Sequence, residues 1–190
     1  MSNQTSTTTA PLERNGVPVE KLRGTIAKMG ADPELAAFRF TAKNTWLEGT
    51  ASRSVIDEWY GAGGEHTHVE VFTATSDHPT LGHGHGPTPQ EFVLHALAGC
   101  IVAGIATTAA NREIELVRID AVVTGTIDVR GVLGVDPDVR NGFDHIDMSV
   151  DIEGAASRAE LDALITASAK RSAVFDMLAN PTSLAIHPAG

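Results

Sequence analysis

The stretch GPTPQEFVLHALAGCIVAGIATTAA, residues 86–110, decides how the rest of the chain must be arranged. Its opening spells a helix start: Thr88 is an N-cap residue, Pro89 suits the first helical position, and Glu91 completes a capping box with Thr88. Residues 92–110 then form the longest uncharged run of the sequence, with its one cysteine, Cys100, near the middle. The spacing predicts a single helix with Cys100 about three turns in. Because this helix is apolar all round, protein must surround it on every side. Its length approaches that of a membrane span, but Ala, Gly and Thr make it weakly apolar. No aromatic belt flanks it and no basic cluster follows. The expectation is a central helix, pressed against a symmetry mate through its small residues, with no membrane as partner.

Outward from this helix the pattern changes to period two. Val117, Ile119, Ala121 and Val123 alternate with Arg118 and Asp120, and Ile127 and Val129 continue the phase, with Asp128 on the other face. A loop at 131–142 separates this strand from a second alternation, Ile146, Met148, Val150 and Ile152 against His145, Asp147, Ser149 and Asp151. Such half-apolar strands suit an antiparallel sheet with one face buried. Ser157 and Glu160 form a capping box for a helix reaching about 171; a shorter helix over 173–178 and a last strand over 183–187 follow. Upstream, the sequence predicts a helix over 19–29 and strands over 35–46, 52–59 and 66–75, with a turn at Gly61-Ala62-Gly63-Gly64. Strands in runs, a long helix, more strands and late helices make an α+β fold. Residues 1–17 read as a disordered tail and 18–190 as one domain. One chain would leave much of the central helix bare, so a homodimer is expected.

A net charge of −10 with scattered basic residues disfavours nucleic acid and anionic membrane surfaces as partners. A single cysteine excludes an intramolecular disulfide, and residues 1–15 lack the apolar core of a signal peptide, so a cytoplasmic location is expected. His66 and His68, and His83 and His85, raise the question of a metal. No Cys-His or carboxylate-rich signature accompanies them, and no metal or cofactor is expected. His95 lies about 140° around the helix from Cys100, which excludes a direct pair within one chain and predicts a hydrogen-bonded core or interface histidine. Ser172 reads as the N-cap of the segment beginning at Ala173.

Several words of the sequence together resemble one family. They are Trp46 and Gly49, Gly82 with residues 86–91, the run Leu94 to Cys100, Arg130-Gly131-Val132-Leu133-Gly134, Gly142-Phe143 with Ile146, and Ser172-Ala173-Val174 with Asn180-Pro181. The chain resembles the OsmC/Ohr family of osmotically induced and organic hydroperoxide resistance proteins over about residues 35–187. The resemblance implies an intertwined homodimer, with antiparallel sheets wrapped around long central helices and a site at the subunit interface. For the peroxidase branches it implies a nucleophilic cysteine on the central helix, a resolving cysteine at the start of a late helix, an arginine that stabilises the thiolate, and a glutamate that orients the arginine. Cys100 matches the nucleophile. The resolving position falls at Ser172, the glutamate position holds Gln90 with Glu91 beside it, and Arg53 and Arg39 are the candidates for the arginine.

Two functions follow. The first is a stress-response thiol peroxidase that reduces organic hydroperoxides through Cys100 alone and is recycled by an external thiol reductant. The second is a non-catalytic dimer that binds a small apolar ligand at the subunit interface, with Cys100 as a packing residue.

Overall fold

The computed structural model describes residues 13–189 of the chain. It opens with a small hairpin, β1 (Glu13–Arg14) and β2 (Val17–Pro18), which leads directly into helix α1 (Val19–Ala31). Residues 13–17 were expected within a disordered tail, and the remainder of that tail, 1–12, lies outside the described residues. The hairpin is held by the far end of the central helix. Asn15 donates to the Ile114 carbonyl at 3.0 Å and accepts from the Leu116 N–H at 2.9 Å, while Arg14 donates to the Glu113 carbonyl. Arg23 on α1 donates to the Asn111 carbonyl at 3.0 Å, satisfying one of the acceptors that a helix end leaves free.

After a 3-10 turn (Pro33–Ala36) come β3 (Arg39–Phe40), β4 (Lys43–Glu48), β5 (Ala51–Gly61) and β6 (Gly64–Ser76), antiparallel, with β5 pairing all three others. The single strand expected over 35–46 is thus broken into the turn and two strands. In β6 the register shifts between the pairs Ile56–Phe72 and Glu58–Thr67, so that His68, Val69, Glu70 and Val71 stand opposite Asp57 alone. This wide bulge interrupts the alternation expected there and leaves Val69 fully exposed.

The central helix α2 (Pro89–Asn111) begins at Thr88 with the expected capping box and runs 23 residues. Strand β7 (Leu116–Thr126) pairs antiparallel with β8 (His145–Gly154), and between them lies the one-turn helix α3 (Val129–Val132). The alternation in β8 is as expected, Ile146, Met148, Val150 and Ile152 facing inward. In β7 Ile119, Ala121 and Val123 face inward as expected, but a bulge between Leu116 and Arg118 turns Val117 outward and puts Leu116 inside. The strand ends at Thr126, and Val129 belongs to α3. Helix α4 (Arg158–Ala169) starts at a Ser157–Glu160 capping box, and α5 (Ala173–Ala179) is capped by Ser172. The strand expected over 183–187 does not form in one chain, where Leu184 and Ile186 are almost wholly exposed.

One face of α2 supplies the core. Leu97, Ile101, Ile105 and Ala109 pack against Leu161 and Leu164 of α4 and Ile152 of β8. Each large side chain buried here contributes about 1.5–3 kcal/mol. Gly104 allows α2 and α4 to approach closely: a Cβ there would stand 3.2 Å from the Ser168 Cβ. The other faces of α2 are largely uncovered within one chain, His95 among them, and the sheet built on β5 does not cover them.

Candidate functional site

The start of α2 is fixed from two sides. Thr88 donates to Glu91 through its backbone N–H at 2.7 Å and its hydroxyl at 2.8 Å, and its hydroxyl accepts the Glu91 N–H at 3.2 Å. These bonds, the N–H first, hold the Glu91 carboxyl below its ordinary pKa. Glu91, a candidate catalytic group in the sequence, is occupied as a cap.

The loop before α2 is organised by a carboxylate that the sequence reading passed over. Asp77 is 1% exposed. It accepts from the Thr50 hydroxyl at 2.7 Å and from the backbone N–H groups of His78, His83 and His85 at 2.7, 3.0 and 3.2 Å. The Thr50 bond leads in holding its carboxyl far below the usual carboxylate range, against burial and together with the three N–H groups. Gly82 makes the cradle possible, since a Cβ there would collide with the Asp77 carboxylate and the Thr50 hydroxyl. Of the two histidine pairs, His83 and His85 stack on one another, while His66 stacks on Trp59 and bonds the Gly61 carbonyl at 3.0 Å. Among the described residues no group of His, Cys, Asp and Glu is arranged to hold a metal.

Cys100 is half-buried, with its sulfur against the first turn of α5. Burial acts to raise its pKa. The Ser172 hydroxyl and the Val174 and Ala173 backbone N–H groups beside the sulfur outweigh burial, so the thiol lies below its ordinary value. Ser172 is itself 5% exposed and also accepts the Phe175 N–H at 3.1 Å as the cap of α5. The residue at the resolving position therefore lies beside the sulfur but cannot form a disulfide with it.

Next to this contact lies a cavity of about 800 Å³ between α2, β8, α4, α5 and the β7–β8 connection. Gln90, Val93, Leu97 and Ile101 line it from α2, and Phe175 and Leu178 from α5. The sulfur is not in the cavity wall, but its neighbour Ile101 and the residue after Val174, Phe175, are. Gln90 is therefore in the cavity wall and Cys100 is not, the two lying about 80° apart around the helix.

The arginine is not brought in. Arg53 is exposed on β5, opposite Thr45 and Thr75, and its side chain makes no hydrogen bond or ion pair among the described residues. Arg39 on β3 is paired with Glu65 at 2.6 Å and lies over the Tyr60 ring. Neither acts on the sulfur within one chain. His95, expected to be hydrogen-bonded in the core or interface, is exposed on α2 within the single chain.

The family model described as OsmC-like protein matches residues 82–187, more than half of the chain. The fold is similar to the crystal structure of an OsmC-like protein from Mycoplasma pneumoniae, at 19% identity over 75% of this chain and 89% of that one, with a TM-score of 0.60. It is also similar to a protein from Psychrobacter arcticus 273-4 assigned to the osmotic stress and detoxification response, at 17% identity over 79% and 90% of the two chains, with a TM-score of 0.52. No curated protein matches the sequence.

Proposed function

The chain belongs to the OsmC-like protein family, and from that premise we propose that it is a thiol peroxidase for organic hydroperoxides working through Cys100 alone. The observation that carries this reading is the place of the half-buried sulfur beside Ser172 and the first backbone N–H groups of α5, surroundings that favour the thiolate despite burial. A packing cysteine in apolar surroundings has its pKa raised and stays inert. The thiolate attacks the terminal peroxide oxygen, the O–O bond breaks, and the departing alkoxide takes a proton to leave as the alcohol. The sulfur, oxidised by two electrons, becomes a sulfenic acid. Ser172 cannot resolve it as a disulfide. An external thiol condenses with the sulfenic acid to a mixed disulfide and water, and a second thiol releases Cys100 as the reduced group.

The catalytic unit in this reading is a homodimer. The bare faces of α2, the exposed Phe40, Trp46, Val69 and Val71 of the first sheet, and the exposed Leu184 and Ile186 are apolar surface that a second copy would cover. Arg53, exposed and without a side-chain partner among the described residues, is the cation available to reach the other copy's Cys100. Gln90 meets the substrate from the cavity wall.

Anaerobic titration with cumene hydroperoxide tests the reading. One Cys100 thiol should disappear for each hydroperoxide consumed, and Cys100→Ser should consume none. Consumption by the serine variant at the wild-type rate, or a thiol that survives excess hydroperoxide, refutes it. The latter result would favour the non-catalytic dimer with an apolar ligand in the same cavity.

A further inference from the structure

The 800 Å³ cavity lies within the size range of small-molecule sites, and its lining mixes apolar and polar side chains. Its body is apolar, built by α2, β8, α4 and α5. Its polar lining residues are Gln90 of α2, Arg140, Asn141 and Asp144 of the β7–β8 connection, and His145 at the start of β8. That connection holds two arginines in different states. Arg130 is tied to Asp128, with Nε at 3.0 Å from Oδ2, and reaches Asp136 at 3.6 Å. These pairs occupy two acids of the connection, and Arg140 is left with no ion pair among the described residues. Its guanidinium lies back over Gly142, with Nε 3.5 Å from where a Cβ would stand, and Arg140 lines the cavity.

We propose that Arg140 makes this cavity selective for amphipathic molecules carrying a carboxylate head, with the head on the guanidinium and the apolar chain along Val93, Leu97 and Ile101. A guanidinium offers a carboxylate two parallel N–H donors, a geometry that neither an alcohol nor an amine head can use. Asp144, in the same wall, is the group that would reverse the preference. Its backbone N–H is bonded to the Thr126 carbonyl at 2.9 Å, and its carboxylate makes no ion pair with Arg140. The proposal rests on the cavity assigned above to the organic substrate, but not on the reactivity of the thiol.

Binding is measured on Cys100→Ser protein, free of thiol chemistry, by displacement of Nile red with dodecanoate, dodecanol and dodecylamine. Dodecanoate should displace the reporter at roughly fivefold lower concentration than dodecanol, the range of one partly exposed charged hydrogen bond. Arg140→Gln should remove that preference and leave dodecanol unchanged. Arg140 is exposed on a connection, so the variant should fold, and circular dichroism confirms it. Dodecylamine binding as well as dodecanoate, a preference that survives Arg140→Gln, or no displacement by any of the three overturns the proposal. Cumene hydroperoxide has no anionic head, so its reaction with Cys100 in the Arg140→Gln protein reports separately on the thiol.

Discussion

Ser172 is expected to set the reactivity of Cys100, and two substitutions separate that role from its role as a cap. A hydrogen bond to an ionised group contributes about 1.5–3 kcal/mol. Here the backbone at the start of α5 also acts on the sulfur and the thiol is only half-buried, which reduces the Ser172 share to about 1 kcal/mol. Losing it in Ser172→Ala should lower the thiolate fraction, and hence the rate of alkylation by iodoacetamide at neutral pH, roughly fivefold. The same change removes the acceptor for the Phe175 N–H and could slow the reaction merely by loosening α5. Ser172→Asp keeps a good N-cap but sets a negative charge beside the sulfur. If the hydroxyl acts on the thiolate, the aspartate variant should be slower than the alanine variant. Ser172→Asp at the wild-type rate with Ser172→Ala slow would assign the effect to the cap. Equal rates in all three proteins would refute the role altogether.

Three further outcomes are expected. Arg53→Ala should lower the rate of cumene hydroperoxide reduction roughly tenfold or more, as loss of a preorganised charge does, while leaving the thermal midpoint near wild type because the side chain is exposed; unchanged turnover would remove Arg53 from the site. Leu164→Ala, at a fully buried position between α4 and α2, should cost about 2–5 kcal/mol in denaturant unfolding. For Asp77 the folded carboxyl is depressed relative to the unfolded one, so its stabilisation is present above the usual carboxylate range and is lost only as pH falls through the lower folded value. Asp77→Asn should therefore lower the melting temperature at pH 7, with the gap to wild type closing only in strong acid; a gap that closes near pH 6 would contradict this.

The parts of the fold that the sequence made legible are those where local chemistry and burial agree. Thr88 with Glu91 and Ser157 with Glu160 are self-contained caps, and each starts a helix where expected. Strand β8 alternates cleanly because one of its faces meets the core. Where a bulge intervenes, as at Val117 and at His68 to Val71, period two gives no warning, because an extra residue reverses the faces without changing composition. The stretch 183–187 alternates like a strand but has no partner within one chain. Hairpin β1–β2 was hidden because the bonds that hold it, from Asn15 to Ile114 and Leu116, cross about a hundred residues of sequence.

The site divides in the same way. Cys100 and Ser172 could be named from the sequence, but that the sulfur lies beside Ser172 at the start of α5 depends on how α2 and α5 pack. Asp77 and Arg140 escaped because each matters through what surrounds it: four donors converging on one buried carboxylate, and a guanidinium without an ion pair among the described residues while its neighbour Arg130 is paired with Asp128 and Asp136. Arg53 remains on a sheet that does not reach the sulfur within one chain, which is why its role rests on the dimer.

The central claim, a reactive one-cysteine centre at Cys100, is tested most directly by intact-protein mass spectrometry after one equivalent of cumene hydroperoxide in the presence of dimedone, which traps sulfenic acid. The account predicts a single dimedone adduct, mapped to Cys100 and absent from Cys100→Ser. A protein that keeps its unmodified mass, with the hydroperoxide still present in solution, would contradict it.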